Sequence, residues 1–302
     1  MNRAGRVSAQ LIRQALLVAC LFSVCAPFAG DLRAQSHRKR PLPEYVQIGQ
    51  PDQAKGRRIL EEFRRRGLYA GDNYFEFELR VMPRRGAERT VPGRMWTGDS
   101  PEGPVSRFVL QPGLAGSERR LLLRSAPGAP VWSWAGQSGG PGELPAAERF
   151  SGLAGTDVAA FDLQLGYLYW TEFVYEGVSK VRGRPADTFL MYPPEAVSTA
   201  WPRLTGVRVH LDSQYGAPVQ AEYIGEEGKP FKSVSVIDLK RVDEQWVVKS
   251  IDFRDETTRN KTRFSLTGAA VGLDTAPAVF EPGMLGELIR PPAQDRIQRV
   301  AP

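Results

Sequence analysis

The sequence predicts a mainly β protein of the α+β class, in which an antiparallel sheet closes or curls around one substantial helix. Three observations predict this fold class. About eleven short segments alternate apolar and polar residues, as strands with one solvent-exposed face do. Tight turns rich in glycine, proline and aspartate separate these segments and favour antiparallel hairpins. One segment near the start of the folded region has a clear helical period.

The helix is predicted over DQAKGRRILEEFRRRG, residues 52–67. Ile59, Leu60 and Phe63 share one side, and basic residues surround the rest. Asp52 is a natural N-terminal cap, and Gly67 is a natural stop. This pattern indicates a helix that packs one apolar side against a sheet.

Strands follow the helix at short intervals. NYFEFELRV, residues 73–81, places Phe75, Phe77 and Leu79 on one side and charged residues on the other. Four more strands are predicted over residues 89–96, 105–111, 119–125 and 130–134. The glycine- and proline-rich residues 135–155 then predict a long loop between two halves of the sheet.

In the second half, one or two helical turns are predicted over residues 158–168, and further segments with the alternation of strands follow them. Six strands are predicted over residues 179–193, 205–212, 218–224, 231–242, 245–256 and 260–269. In VRVHLD, residues 207–212, the alternation places His210 on the solvent-exposed face of the strand, opposite Val207 and Val209. No period of 20 to 50 residues recurs, so the sequence does not indicate a solenoid or propeller.

The two ends of the chain are predicted to lie outside the domain. Residues 1–34 combine early arginines, an apolar core and the small residue Ala34, which predicts a signal peptide cleaved after Ala34. An acylated lipoprotein cysteine at Cys20 is the less favoured alternative, because the apolar core before it would be very short. We therefore expect a basic, proline-rich leader over residues 35–50, a single domain over 51–288 and a disordered tail over 289–302.

Cysteine content and charge restrict the function further. Cys20 and Cys25 both lie in the predicted signal peptide, so the mature chain has no disulfide and depends on packing for its stability. Removal of residues 1–34 takes away four arginines and one aspartate, which lowers the formal net charge from +6 to +3. This modest charge does not indicate a nucleic-acid partner.

The sequence contains no convincing catalytic or metal site. GQSGG, residues 136–140, fits the G-x-S-x-G pattern around Ser138, but the GGPGELP that continues it cannot form the helix that such a nucleophile needs. A serine hydrolase is therefore the least favoured hypothesis. His37 and His210 are the only histidines, and Gly152 and Gly155 lack the spacing of a phosphate loop. We predict no enzyme activity, no cofactor and no metal.

Bulky apolar residues recur along the predicted strands and are candidates for a ligand-binding surface. If they line the concave side of a bent sheet, that side is an apolar hollow suited to a lipid or acyl chain. The alternative is that the protein fills this hollow with its own side chains and acts as a cell-envelope interaction module, with an exposed strand edge. The candidate lining residues are Phe75, Phe77, Leu79, Phe108, Leu121, Trp132, Trp134, Phe253 and Phe264.

The second half of the chain also resembles a known family, over residues 149–285. The segments that carry the resemblance are RFSGLAGTDVAAFDL (149–163), EFVYEGVSKVRGRPADTFLMYP (172–193), VRVHLDSQYGAPVQAEYIGEEGKPFKSVSV (207–236) and NKTRFSLTGAAVGLDTAPAVFEPGML (260–285). Their order is similar to that in the outer-membrane lipoprotein-sorting protein-like domain, which is related to the periplasmic lipoprotein carrier LolA.

The resemblance implies a strongly curved, incompletely closed antiparallel sheet, a half-barrel, with one or more helices covering its concave face. It also implies a periplasmic, non-enzymatic carrier of lipid or lipoprotein acyl chains that works with donor or acceptor proteins of the inner or outer membrane. A monomer is expected. In this family context, Gly152 and Gly155 are expected to shape a turn, and Asp157 to cap the helix that follows.

Overall fold

The structure is a computed structural model that describes residues 40–45, 50–66, 71–114, 116–126, 128–136 and 139–300. Several features predicted from the sequence fall outside the described residues. They are the signal peptide with Cys20 and Cys25, the helix stop at Gly67, and Ser138.

Within the described residues the structure contains three α-helices and one 14-stranded sheet. The helices are α1 (Gln53–Arg66), α2 (Ala160–Gln164) and α3 (Glu195–Ala200). The strands are β1 (Asp72–Met82), β2 (Arg89–Ser100), β3 (Gly103–Leu110), β4 (Arg119–Arg124), β5 (Val131–Trp134), β6 (Gly142–Glu143), β7 (Phe173–Val181), β8 (Arg184–Met191), β9 (Gly206–Asp212), β10 (Pro218–Ile224), β11 (Pro230–Val242), β12 (Gln245–Asp255), β13 (Lys261–Leu273) and β14 (Gln298–Arg299).

The strand order shows how the chain builds the sheet. β1 lies in the middle, between β2 and β13. From β1 the chain moves outward to β6 at one edge, crosses to β7 at the other edge and returns by hairpins to β13. Because β6 and β7 remain as edges, the antiparallel sheet is open, and strand twist curves it into a half-barrel. The predicted fold class is confirmed.

Helix α1 begins where the sequence predicts. The Oδ1 atom of Asp52 accepts hydrogen bonds from the backbone N–H groups of Ala54 at 2.9 Å and Lys55 at 3.1 Å. These two bonds satisfy donors that have no partner inside the first turn of a helix. The apolar side of α1 then buries Leu60 and Phe63 in the core of the protein.

The connection from β6 to β7, residues 144–172, crosses the sheet because these two strands lie at opposite edges. We call it the crossover segment, and the face of the sheet that it covers the inner face. The segment contains α2 and three short 3-10 turns. Phe161, Tyr167 and Leu168 of the segment are buried in the same core cluster as α1. The helices predicted to cover the concave side therefore come from two parts of the chain.

The inner face carries a densely packed aromatic core. The rings of Phe77 and Phe264 are stacked, with centroids 4.8 Å apart, and Phe108 contacts Phe77 edge to face. Gly93 is the register partner of Phe77 on β2. A Cβ atom at Gly93 would lie 2.3 Å from Cζ of Phe77, so the ring occupies the space that a side chain would need.

The outer face of the sheet is covered by the C-terminal part of the chain. Tyr74 and Trp96 pack there against Phe280, Leu285 and Ile297. Residues 289–300, which the sequence predicts as disordered, are therefore ordered. Strand β14 pairs with β13, and Ile297 and Val300 are buried. These two apolar residues in a polar, proline-bearing segment provide the hydrophobic contacts that the prediction overlooked.

Part of the predicted leader also contacts the outer face, near the β7 edge. Pro41 is buried, and its carbonyl accepts a hydrogen bond of 3.1 Å from the hydroxyl of Tyr192. The backbone N–H of Glu44 donates to Oε1 of Glu176 at 2.7 Å. Residues 40–45 are thus attached to the sheet by backbone and side-chain contacts.

Candidate functional site

An apolar cavity of about 120 Å³ lies between the inner face and the crossover segment. The sheet, the crossover segment and α1 all contribute to its wall. Most of its lining residues are apolar, which is typical of sites that bind apolar ligands. Apolar lining residues include Phe63, Met95, Phe108, Leu163, Leu165, Leu168, Val234, Ile251, Phe253 and Phe264.

The cavity extends along the strands. Two of its lining residues are Thr97, the register partner of Asn73 on β1, and Phe264, the partner of Leu79 on β1. Asn73 and Leu79 are six residues apart, which corresponds to roughly 20 Å of extended strand. Its lining residues also come from several neighbouring strands, β2 and β3 on one side of β1 and β11 to β13 on the other.

Polar lining groups are few, and several are already engaged within the protein. The hydroxyl oxygen of Thr97 accepts a hydrogen bond of 3.3 Å from the side-chain amide of Asn73. The hydroxyl of Ser125 donates to the backbone carbonyl of Gln164 at 2.9 Å. Binding in this cavity would therefore depend on burial of apolar surface.

A buried ion pair fastens the crossover segment to the sheet beside the cavity. The carboxylate of Asp162, a lining residue on α2, pairs with Nζ of Lys232 on β11. The same Nζ donates to the backbone carbonyl of Asp157 at 2.7 Å. Burial, the Asp162 carboxylate and Tyr167 raise the pKa of Tyr223 well above its usual range, so the Tyr223 hydroxyl stays protonated.

The predicted capping role of Asp157 is wrong. Its Oδ2 atom accepts a hydrogen bond of 2.8 Å from the hydroxyl of Thr262, which ties it to β13. Asp162 supplies the helix-start contact instead, because its Oδ2 accepts from the backbone N–H of Ala159 at 2.6 Å. The helix begins three residues after Asp157, at Ala160, so the later carboxylate is the one within reach.

The structure divides the nine predicted lining residues into three groups. Phe108, Phe253 and Phe264 line the cavity. Phe75, Phe77, Leu79 and Leu121 are buried in the inner-face core around it. Trp132 and Trp134 pack instead into the outer-face cluster, beside Leu122. The structure therefore brings seven of these residues together on the inner face.

Sequence reasoning missed the part of the wall that the crossover segment supplies. Leu163, Leu165 and Leu168 belong to a segment predicted only as helical turns, and Met95, Val234 and Ile251 lie on strands whose faces were not assigned. The topology of the sheet would have identified these leucines as part of the cavity wall. A connection between opposite edges of an open sheet has to cross one face, and its apolar residues must face that sheet.

A separate polar cleft of about 340 Å³ lies on the outer face near Arg208 and His210. Arg208 forms a two-point ion pair with Glu176, with N–O distances of 2.8 and 3.2 Å. Nδ1 of His210 lies 3.0 Å from Oγ1 of Thr188 and 3.2 Å from Oγ of Ser179. His210 lies on the outer face as predicted, but it is buried rather than solvent-exposed, with 8% of its surface exposed.

The environment of this cleft disfavours the protonated form of His210. Burial, followed by the positive charge of Arg208, lowers the pKa of His210 from 6.5 to about 4. A histidine with so low a pKa is a weak base for activating the hydroxyl of Ser179 or Thr188.

Neither a metal-binding cluster nor a membrane-spanning helix occurs among the residues that the structure describes. Among them, no group of three or more histidine, cysteine, aspartate or glutamate side chains is placed to hold a metal ion. Over the same residues, no helix has the length and apolar character needed to cross a bilayer.

The open sheet with its helical cover is a fold shared with three solved structures, one of them described as a LolA superfamily protein. A DUF1329 family protein from Desulfovibrio piger has a TM-score of 0.66 at 13% identity, over 78% of this chain and 100% of that one. A domain described as an outer membrane lipoprotein-sorting protein, from Vibrio parahaemolyticus, has a TM-score of 0.66 at 15% identity, again over 78% and 100%. A LolA superfamily protein from Nitrosomonas europaea has a TM-score of 0.55 at 13% identity, over 74% and 96%.

The chain belongs to the protein family described as "Uncharacterized protein", whose model matches residues 117–287. No curated protein sequence matched the chain. The resemblance identified over residues 149–285 is confirmed at the level of the fold.

Proposed function

We propose that the protein is a non-enzymatic periplasmic carrier that binds the acyl chain of a lipid or lipoprotein in the inner-face cavity. The observation that carries this proposal is the apolar cavity between the open sheet and the crossover segment. The fold supports it, because similar structures include a lipoprotein-sorting protein domain and a LolA superfamily protein. The periplasmic location depends on the predicted signal peptide, residues 1–34.

Burial of the acyl chain supplies the binding energy in this proposal. Each methylene group that leaves water contributes about 0.8 kcal/mol, and ordering of the chain offsets part of the gain. Because the contacts are apolar, the same acyl chain binds a membrane or a second carrier comparably well. Transfer then depends on a donor and an acceptor in the inner or outer membrane that compete for it.

The alternative is a cell-envelope interaction module whose core is completely filled by its own side chains. The exposed edge of such a module would be β7, the longer of the two edge strands. The cavity favours the carrier over this alternative, because a completely filled core would leave no apolar cavity beneath the crossover segment.

The first test is whether acyl lipids co-purify with the protein. The full chain is exported to the periplasm, purified without detergent and extracted with organic solvent, and the extract is analysed by mass spectrometry. We expect acyl lipid in the extract, and we expect added lipid at a hundred times its Kd to stabilise the delipidated protein by about 2.7 kcal/mol. If no lipid is extracted and no added lipid raises the Tm, the carrier proposal fails and the packed module is favoured.

A pair of serine variants locates the binding site. Ser106 lines the cavity on β3, whereas Ser235 of β11 is half-buried on the opposite side of the strand from the lining residue Val234. Ser106→Leu adds a bulky group to the cavity and is expected to reduce lipid occupancy at least tenfold. Ser235→Leu makes the same chemical change on the outer face and should leave occupancy unchanged. Equal occupancy in both variants would show that the lipid binds elsewhere.

A further inference from the structure

Asp162 of α2 is the one charged residue in the wall of the inner-face cavity, within the part of the chain that the structure describes. Its side chain is almost completely buried, with 1% of its surface exposed. Nearby lining residues are apolar and include Leu163 of the crossover segment and Val234 of β11. A buried carboxylate beside an apolar cavity is costly unless its oxygen atoms accept hydrogen bonds, so the contacts of each oxygen indicate what the site can bind.

The two carboxylate oxygens of Asp162 differ in their contacts. Oδ2 accepts a hydrogen bond of 2.6 Å from the backbone N–H of Ala159 and another from Nζ of Lys232. Oδ1 is buried and has no hydrogen-bond partner among the residues that the structure describes. Lys232 is not a lining residue, so the member of the ion pair that reaches the cavity is the carboxylate. The cavity wall thus contains a buried acceptor that requires a donor.

The hydroxyl of Tyr223 on β10 lies near this carboxylate but does not supply the donor. Burial and then the Asp162 charge raise the pKa of Tyr223, so its hydroxyl stays protonated. This hydroxyl also makes no hydrogen bond with any residue that the structure describes. The Tyr223 ring packs edge to face on Phe161 and Trp201, and it does not line the cavity. The acceptor that belongs to the cavity is therefore Oδ1 of Asp162.

The charge balance at Asp162 indicates which donor fits. Its negative charge is compensated by Lys232, whose Nζ also donates to the carbonyl of Asp157 at 2.7 Å. A ligand ammonium group would add a second buried cation to one carboxylate, and a ligand carboxylate would add a second buried anion. Both are unfavourable in an apolar wall. An uncharged O–H or N–H group provides the missing hydrogen bond without adding charge.

We propose that Oδ1 of Asp162 is the polar anchor of the cavity, and that it selects acyl ligands whose polar end is an uncharged hydrogen-bond donor, such as a hydroxyl group or an amide N–H. This inference rests on the proposed carrier function and adds a specificity-determining residue and a ligand class to it. The polar end of the ligand lies beside Asp162, and its hydrocarbon chain contacts the apolar wall. A ligand whose polar end has no N–H or O–H group leaves Oδ1 without a donor and binds more weakly.

Ligands with the same hydrocarbon chain and different polar ends test the anchor in the unmodified protein. Delipidated protein is titrated with lauryl alcohol, lauryl methyl ether, N-methyl lauramide and N,N-dimethyl lauramide, and each Kd is measured by displacement of a fluorescent acyl probe. Each donor is expected to bind roughly ten- to a hundredfold more tightly than its methylated counterpart, as for a hydrogen bond to a charged group. The added methyl group alone would have the opposite effect, because it increases the apolar surface. Laurate should bind several-fold more weakly than lauryl alcohol at pH 7.

Asp162→Asn changes the anchor from an acceptor to a donor. The amide oxygen can keep the hydrogen bonds from Ala159 and Lys232, which places the amide NH₂ group at the position of Oδ1. The preference for lauryl alcohol over its methyl ether should then fall at least tenfold, to a ratio of about one. The Tm should also fall, because Lys232 loses the charge of its partner. A merely structural role of Asp162 would weaken the binding of both ligands without changing their ratio.

Two control variants separate the anchor from its surroundings. Thr262→Val removes the hydrogen bond of 2.8 Å from the Thr262 hydroxyl to Asp157, which also fastens the crossover segment to the sheet. Because Thr262 does not line the cavity, this variant should lower the Tm and keep the ratio of the unmodified protein. Tyr223→Phe removes the neighbouring hydroxyl and should keep the ratio as well.

The outcomes distinguish the anchor from the carrier function. If donors and methylated ligands bind the unmodified protein equally, the anchor is wrong and the carrier function stands. This comparison needs no variant, so it decides the question even if Asp162→Asn does not fold. If Tyr223→Phe abolishes the preference and Asp162→Asn does not, the assignment to Asp162 is wrong. If laurate binds as tightly as lauryl alcohol, the preference for an uncharged end is wrong. If no ligand of the series binds, both the anchor and the carrier function fail.

Discussion

At the scale of single residues, His210 shows how burial sets the charge of a side chain. Its ring lies next to the hydroxyls of Ser179 and Thr188, and the adjacent Arg208 opposes its protonation. The folded protein therefore keeps His210 neutral down to a pH of about 4, whereas the unfolded chain protonates it at about 6.5. Between these two values, the unfolded state binds one more proton than the folded state at this position.

We expect this difference to make the protein less stable in mild acid. As the pH falls from about 6.5 to about 4, the free energy of unfolding should decrease by up to about 3 kcal/mol because of His210. His210→Asn cannot titrate, so its urea-unfolding free energy should change less over the same interval. Parallel curves for the variant and the unmodified protein between pH 7 and 4.5 would contradict the assignment.

At the scale of secondary-structure elements, Gln53 explains how part of an exposed strand edge is protected. Its amide bonds to both the N–H and the C=O of Tyr175, much as a residue of a neighbouring strand would. An unpaired edge is prone to pair with other chains, so α1 contributes solubility as well as core packing.

Gln53→Ala should remove both of these bonds and expose the edge. We expect a loss of about 1–3 kcal/mol in the free energy of unfolding, faster hydrogen exchange at the Tyr175 amide, and a tendency to self-associate. Gln53→Glu keeps an acceptor for the Tyr175 N–H and is the matched control. In that variant, the Tyr175 amide should retain most of its protection from exchange.

Helices and strands were predictable from the sequence wherever a local residue pattern determines their type and their start. Alternation identified the long strands such as β1, and Asp52 located the start of α1 because a cap acts only on the next few residues. The capping carboxylate of α2 was misassigned because Asp157 and Asp162 are both close to its start. Only the tertiary contact with Thr262 shows that Asp157 is engaged elsewhere.

At the scale of the whole molecule, both faces of the sheet are covered, and the sequence predicted only one covering layer. The chain that follows β13 folds back over the outer face, where Val279 and Leu285 are buried. Alternation shows that neighbouring residues of a strand point to opposite faces, but it does not show which face is concave. Trp132 and Trp134 of the short strand β5 were therefore grouped with the inner-face residues, although they lie on the other face.

Arg107 holds this outer layer in place and provides a test of its importance. The buried guanidinium donates to four backbone carbonyls, those of Val279, Met284, Leu285 and Glu287. Burial and the adjacent Arg120 lower its pKa to about 10, so it stays charged at neutral pH. Arg107→Met should lower the free energy of unfolding by about 3 kcal/mol and make residues 277–287 sensitive to proteases. Arg94→Met, on β2, is the control and should leave cleavage of this segment unchanged.

The contact between Phe77 and Gly93 couples two positions on neighbouring strands. Since the phenyl ring fills the space beside Gly93, any side chain at position 93 requires a smaller residue at position 77. The two positions are therefore expected to diverge as a pair during evolution. In a relative that has alanine at the position of Gly93, the aromatic ring should be replaced by a shorter aliphatic residue.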